Sequence, residues 1–152
     1  MTPVRSNVVV ALCVLAGAVH AAEPAACGSP SPVGRWLVRD ELGPRAVVEV
    51  RATDAQLVGV VREVVARPGE PREPRCDDCE GRERGQPIRG LEILHLAASP
   101  ATGAWDGDVL DPEEGRRYRA RASLAECGRV LELRGYVLLP VFGRVERWQR
   151  LD

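Results

Sequence analysis

The chain has 152 residues and is close to neutral, with 21 basic side chains, all of them arginine, against 22 acidic ones. Without lysine there is no Schiff base and no phosphate-loop lysine, and the lack of a basic excess argues against nucleic acid as the main partner. His20 and His95 are the two histidines, so the loss of either removes any histidine dyad or two-histidine zinc site.

Arg5 is the single charge ahead of Val8–Val19, an unbroken run of apolar and small residues, and Val19-His20-Ala21 puts small residues where a signal peptidase reads. A charged start, a short apolar core and a small-residue exit form a secretory signal. The run is well short of the roughly 20 residues of a membrane span. The expectation is a signal peptide over 1–21, cleavage between Ala21 and Ala22, and a periplasmic protein. Lipid attachment fits less well: Cys13 follows Leu12 rather than a small residue, and Cys27 lies beyond the apolar core. Cleavage removes His20 and leaves His95 as the lone histidine. It also leaves 20 arginines against 22 acids, in a chain of one domain's length that buries about two thirds of its unfolded surface.

Residues 22–32 are small and proline-rich and read as a flexible lead-in to a single domain over 33–152. Trp36–Val38, Arg45–Ala52 and Gln56–Val65 follow as strands, the last two valine-rich. Residues 66–87 interrupt the pattern with prolines, glycines and mixed charge. Leu91–Leu96 is apolar and too short to separate strand from helical turn by period. Ala104–Leu110 leads into Asp111-Pro112-Glu113-Glu114-Gly115, a tight-turn composition. Arg116–Leu124 then alternates, with Tyr118, Ala120, Ala122 and Leu124 on one face and Arg117, Arg119 and Arg121 on the other, the mark of a half-buried strand. Glu126-Cys127-Gly128 turns the chain, Val130–Leu139 follows, Pro140 interrupts, and Val141–Leu151 closes. About eight short strands with hairpin-length links predict an all-β sandwich or barrel, and closure disposes of the sheet edges. Small inward residues, the alanines and Gly135, leave volume for either a pocket or a tight core.

Cys76-Asp77-Asp78-Cys79 is the most specific local motif. A redox pair needs a thiolate stabilised at a helix start, whereas this one lies among acids in a proline- and glycine-rich loop. Zinc needs two further ligands, and no second paired motif exists. A local disulfide suits an oxidising compartment. Cys27 and Cys127 then remain as a candidate second bridge. Asp106, Asp108, Asp111, Glu113 and Glu114 lack the spacing and central glycine of a calcium loop and read as a solvated hairpin. His95, with Ser99 or Ser123, has no nucleophile setting around it. Arg116, Arg117, Arg119 and Arg121 either face an anion or keep a strand soluble. No catalytic, metal or cofactor site is expected.

Several segments together resemble a bacterial envelope family known as domain of unknown function 2147. They are Val33-Gly34-Arg35-Trp36, then Cys76-Asp77-Asp78-Cys79 running into Gly85–Leu94, Leu110–Glu113 with Gly115 and Tyr118, Arg134-Gly135-Tyr136, and Gly143-Arg144 with Trp148. The resemblance implies a small exported lipocalin-like or calycin-like antiparallel barrel with no known reaction. It also implies that an arginine of Arg147-Trp148-Gln149-Arg150 lies across the indole of Gly34-Arg35-Trp36, a contact of about 0.5–2 kcal/mol. Cys27 and Cys127 are not part of the family pattern. By fold analogy the expected role is binding an apolar or amphipathic small molecule in the barrel mouth, with Trp36, Tyr118, Tyr136 and Trp148 as lining and Arg134 as a polar contact. The alternative is a filled barrel that serves an envelope protein partner through its Cys76–Cys79 loop. An enzyme is the remote third reading.

Overall fold

Valine-rich runs broken by turn residues become strands throughout the computed structural model, which describes residues 27–152 apart from Ser29. The expected signal peptide, its cleavage point and Cys13 lie outside the described residues. Eight strands follow in chain order: β1 Gly34–Asp40, β2 Gly43–Ala52, β3 Leu57–Val64, β4 Glu92–Ser99, β5 Ala104–Asp111, β6 Arg116–Ala125, β7 Val130–Tyr136 and β8 Arg144–Arg150. Each pairs antiparallel with the next, and β8 returns to β1, so the sheet closes into an up-and-down barrel. Closure rests on only two register pairs, Trp36 with Arg150 and Leu37 with Gln149. The sandwich alternative is thereby removed.

Two elements differ from the sequence reading. Leu91–Leu96, undecided between strand and helical turn, forms most of β4, because β3 and β5 offer it ladders on both sides. β7 stops at Tyr136 and β8 starts at Arg144, leaving 137–143 as a loop around a 3₁₀ turn at Pro140–Phe142. Pro140 has no N–H to give a ladder and so ends the pairing.

Antiparallel alternation sends the connections to two ends. The β2–β3, β4–β5 and β6–β7 links gather at a closed end. The β1–β2, β3–β4, β5–β6 and β7–β8 links surround a mouth. At the closed end Trp36, Leu94, Leu96, Leu131 and Trp148 are fully buried. β6 alternates as its sequence implies: Ala120 and Ala122 are inaccessible inside, while Arg117 and Arg119 face out.

The lead-in is tied down from Cys27 onward rather than loose. Cys27 is bonded to Cys127 in the β6–β7 turn, with 5.1 Å between Cα atoms. The carbonyl of Pro32 accepts the Trp36 indole N–H at 2.9 Å. Arg150 donates to the carbonyls of Val33 at 3.0 Å and Gly128 at 2.7 Å, and to that of Ser31. Its guanidinium lies 4.3 Å from the centre of the Trp36 ring. One arginine thus closes the barrel floor through carbonyls and an indole face, in the place the resemblance implied.

The long β3–β4 excursion is structured as well. Cys76 and Cys79 are disulfide-bonded and join Ile88, Leu91 and Leu110 in the apolar core. Cys76 N–H donates to Gln86 O at 2.9 Å, and Gly85 N–H donates to Cys76 O at 2.9 Å. The disulfide packs against the β5–β6 hairpin, with Cys76 Sγ 3.3 Å from the Pro112 carbonyl oxygen.

Candidate functional site

The packed floor does not extend to the mouth. Above Trp148 the interior opens into a cavity of about 620 Å³. Its walls are apolar and come from nearly every strand: Val38, Val48, Val61, Ile93, Val109 and Leu133 all line it. Inward side chains alternate along each strand, so the sequence places small or branched residues here and bulky ones a layer below. Gly135 makes room in particular. A Cβ built there would have its nearest neighbours at 3.8 Å, on Tyr118 and Val109.

The rim is charged and cross-linked. Arg45 on β2 reaches Glu70 of the β3–β4 excursion at 2.7 Å and is paired with Glu113 of the β5–β6 turn. Those two hydrogen bonds, Glu113 first, push its pKa up. Arg67 binds both oxygens of Asp40 at 2.5 Å, and this chiefly holds that carboxyl below its ordinary range. Glu70 is lowered mainly by the backbone N–H of Arg67, then by Arg45. Two arginines and three acids therefore strap three mouth elements together. Inside the rim, Trp148 Nε1 donates to Glu146 at 2.9 Å. The Tyr118 hydroxyl donates to Glu114, which raises the phenol's pKa.

Of the expected lining residues, Tyr118, Tyr136 and Trp148 border the cavity. Trp36 does not, because it is wholly buried a layer nearer the closed end under Arg150. Arg134 does not either. Alternation along β7 turns it outward, where its Nη1 donates to the Pro140 carbonyl at 3.1 Å. Ala120 and Ala122, which left both a pocket and a tight core open, belong to the packed core. The cavity wall was hard to find by sequence, since valines spread over eight strands carry no local motif. Gly135 was the one visible signal.

Of the remaining candidates, Asp111, Glu113 and Glu114 stand at the cavity mouth, and the others lie on the outer face. His95 Nε2 lies 3.4 Å from Glu92, and its Nδ1 lies 3.8 Å from Asp108. Asp106 is bound by Arg121 at 2.6 Å and is lowered chiefly by that bond. Asp108 is paired with Arg117. The Asp111 carboxylate accepts the N–H groups of Glu113 and Glu114 and so shapes the turn. Arg116, Arg117 and Arg119 face a hollow of about 580 Å³ on the outer wall, beside Glu80 and Glu83. Among the described residues no group of three or more His, Cys, Asp or Glu is set to hold a metal, and no helix is long and apolar enough to cross a membrane.

No curated protein sequence matches the chain. Among solved structures it is similar to a protein of Helicobacter pylori described as belonging to the lipocalin family. The TM-score is 0.67 at 16% sequence identity, over 82% of this chain and 85% of that one. At such identity the likeness shows the fold alone, a lipocalin-like barrel. Residues 34–150 match the family described as an uncharacterized protein conserved in bacteria, domain of unknown function 2147, and the chain belongs to that family.

Proposed function

We propose that the protein is an exported binding module that holds an apolar or amphipathic small molecule in the barrel mouth. The observation that carries this reading is the 620 Å³ cavity with apolar walls and an open, charged rim. That volume lies within the range of small-molecule sites, which are mostly apolar with a few placed polar groups. Tyr118, Glu146 and Trp148 supply such groups. The alternative, a filled barrel working through the Cys76–Cys79 loop, loses ground twice. The mouth half is open, and both sulfurs are buried against the barrel wall. Two disulfides support an oxidising compartment and hence export.

Gly135 provides the test. Its backbone lies outside the left-handed region and a Cβ fits without contact strain, so Gly135→Leu projects a side chain into the cavity. Glycine within a strand is about 0.5–1 kcal/mol less favourable than alanine, so folding should not suffer. The parent should bind a fluorescent fatty acid saturably, and Gly135→Leu should bind it at least about tenfold more weakly, a difference of about 1.4 kcal/mol, with an unchanged thermal melt. Ala122→Leu, buried below the cavity, should instead cost about 1–3 kcal/mol by overpacking. A parent that binds no probe, or a Gly135→Leu variant that binds it equally well, would defeat the reading.

A further inference from the structure

The β7–β8 loop presents an apolar crown to solvent. Val137, Leu138, Val141 and Phe142 are 71–84% exposed and Leu139 is 56% exposed. Leu42, in the neighbouring β1–β2 turn, is 79% exposed. Soluble proteins rarely leave so contiguous an apolar patch uncovered without a use for it. The crown also continues into the interior, since Val137 and Phe142 line the mouth cavity.

We infer that this crown docks the barrel mouth onto a lipid bilayer. Three observations favour a bilayer over a protein partner. The apolar residues sit on a protruding tip, which can enter hydrocarbon but offers a partner no groove to fill. The tip also pairs part of its own backbone. Phe142 N–H bonds to Leu139 O at 3.1 Å, Gly143 N–H bonds to Pro140 O at 3.0 Å, and Pro140 has no N–H. Arg134 further caps the Pro140 carbonyl. Lipid demands such internal satisfaction, whereas a wet protein interface does not. Finally, Arg39 and Arg144 stand at the base of the crown on β1 and β8 and border the cavity. Neither has an ion-pair partner among the described residues. Two unpaired guanidinium groups beneath an uncharged tip match lipid phosphates beneath a hydrocarbon layer. Of the acids nearby, Asp40 is held by Arg67, while Glu146 accepts from the neutral Trp148 indole and keeps its charge, as do Glu41 beside the crown and Asp111 and Glu114 on the β5–β6 side of the mouth.

β1 and β8 are paired only near the closed end, so their mouth halves part beside the crown. A lipid tail leaving the bilayer would meet that seam first. The docking surface does not depend on what fills the cavity, and the test keeps the two apart. The mature protein is mixed with vesicles of phosphatidylethanolamine, with and without phosphatidylglycerol, and the bound fraction is read by flotation. Binding is expected to both, and more tightly to the anionic vesicles. Leu138→Asp with Val141→Asp, neither of which lines the cavity, should lower it at least about tenfold while leaving fluorescent fatty acid binding in free solution unchanged. Arg39→Gln with Arg144→Gln should remove the preference for phosphatidylglycerol, at about fivefold per arginine. Three results would each overturn docking: no flotation of the parent with either vesicle, equal flotation of the aspartate variant, or a parent dimer that the aspartate variant converts to monomer.

Discussion

Gly115 shows how one residue joins two elements. Its φ is +67°, and a Cβ there would fall 2.2 Å from the backbone of Asp78. The β5–β6 turn therefore needs glycine twice, for its left-handed backbone and for contact with the disulfide loop. Gly103, in the β4–β5 turn, has φ +66° with nothing near its missing Cβ, and it isolates the first requirement. Gly103→Ala should cost about 1–2 kcal/mol for the left-handed conformation. Gly115→Ala should cost clearly more, because the Cys76–Cys79 loop must also move away. Denaturant unfolding of both variants measures the difference, and equal losses would show that the contact carries no weight. Trp36 teaches the converse lesson about single residues. An aromatic side chain in a prominent motif reads as a ligand contact, yet here it belongs to the floor beneath Arg150.

At the level of elements, the two disulfides do different work. Cys27–Cys127 joins residues 100 apart and staples the segment ahead of β1 to the β6–β7 turn at the closed end. Cys76–Cys79 closes a separation of three residues and stiffens a loop that is already hydrogen-bonded. In the chain-entropy model the stabilisation grows with loop length, and roughly 2–4 kcal/mol is typical. Replacing Cys27 and Cys127 with serine should cost that much. Replacing Cys76 and Cys79 should cost less through chain entropy and act mainly on the packing around Leu110. Urea titrations of the two double variants test the order, and a reversed order would mean that the excursion, not the closed end, limits stability.

For the whole molecule, the open question is where the chain matures. Cys27 shares its sulfur with Cys127, which leaves it no thiol for a lipid thioether. We therefore expect the mature chain to start at Ala22, to lie in the periplasmic fraction and to carry both bridges oxidised. Intact mass and N-terminal sequencing after osmotic shock decide the matter. A retained Met1, or a diacylglyceryl mass on Cys27, would refute it. If that expectation holds, export would place a barrel with an apolar mouth among envelope lipids, the setting in which both the cavity and the crown would acquire a use.

Every strand but β4 was legible from sequence because each follows a local rule. Valine-rich runs, period-two alternation in β6 and turn residues such as Asp111–Gly115 act over a few residues. Order and antiparallel pairing come nearly free where the links are hairpin-length, which the β3–β4 excursion is not. The cysteine count allowed the bridges without deciding them, since pairing depends on a distance that residues 100 apart do not encode locally. Closure of β8 on β1, the split between packed floor and open mouth, and the separation of Trp36 from Trp148 were decided only in three dimensions. Whether an inward alanine or valine borders space or a neighbour depends on what seven other strands bring to the same height. The same holds for the apolar run Val137–Phe142. Its composition suggested more strand, and only the fold, by ending β7 at Tyr136, turned it outward at the barrel's mouth.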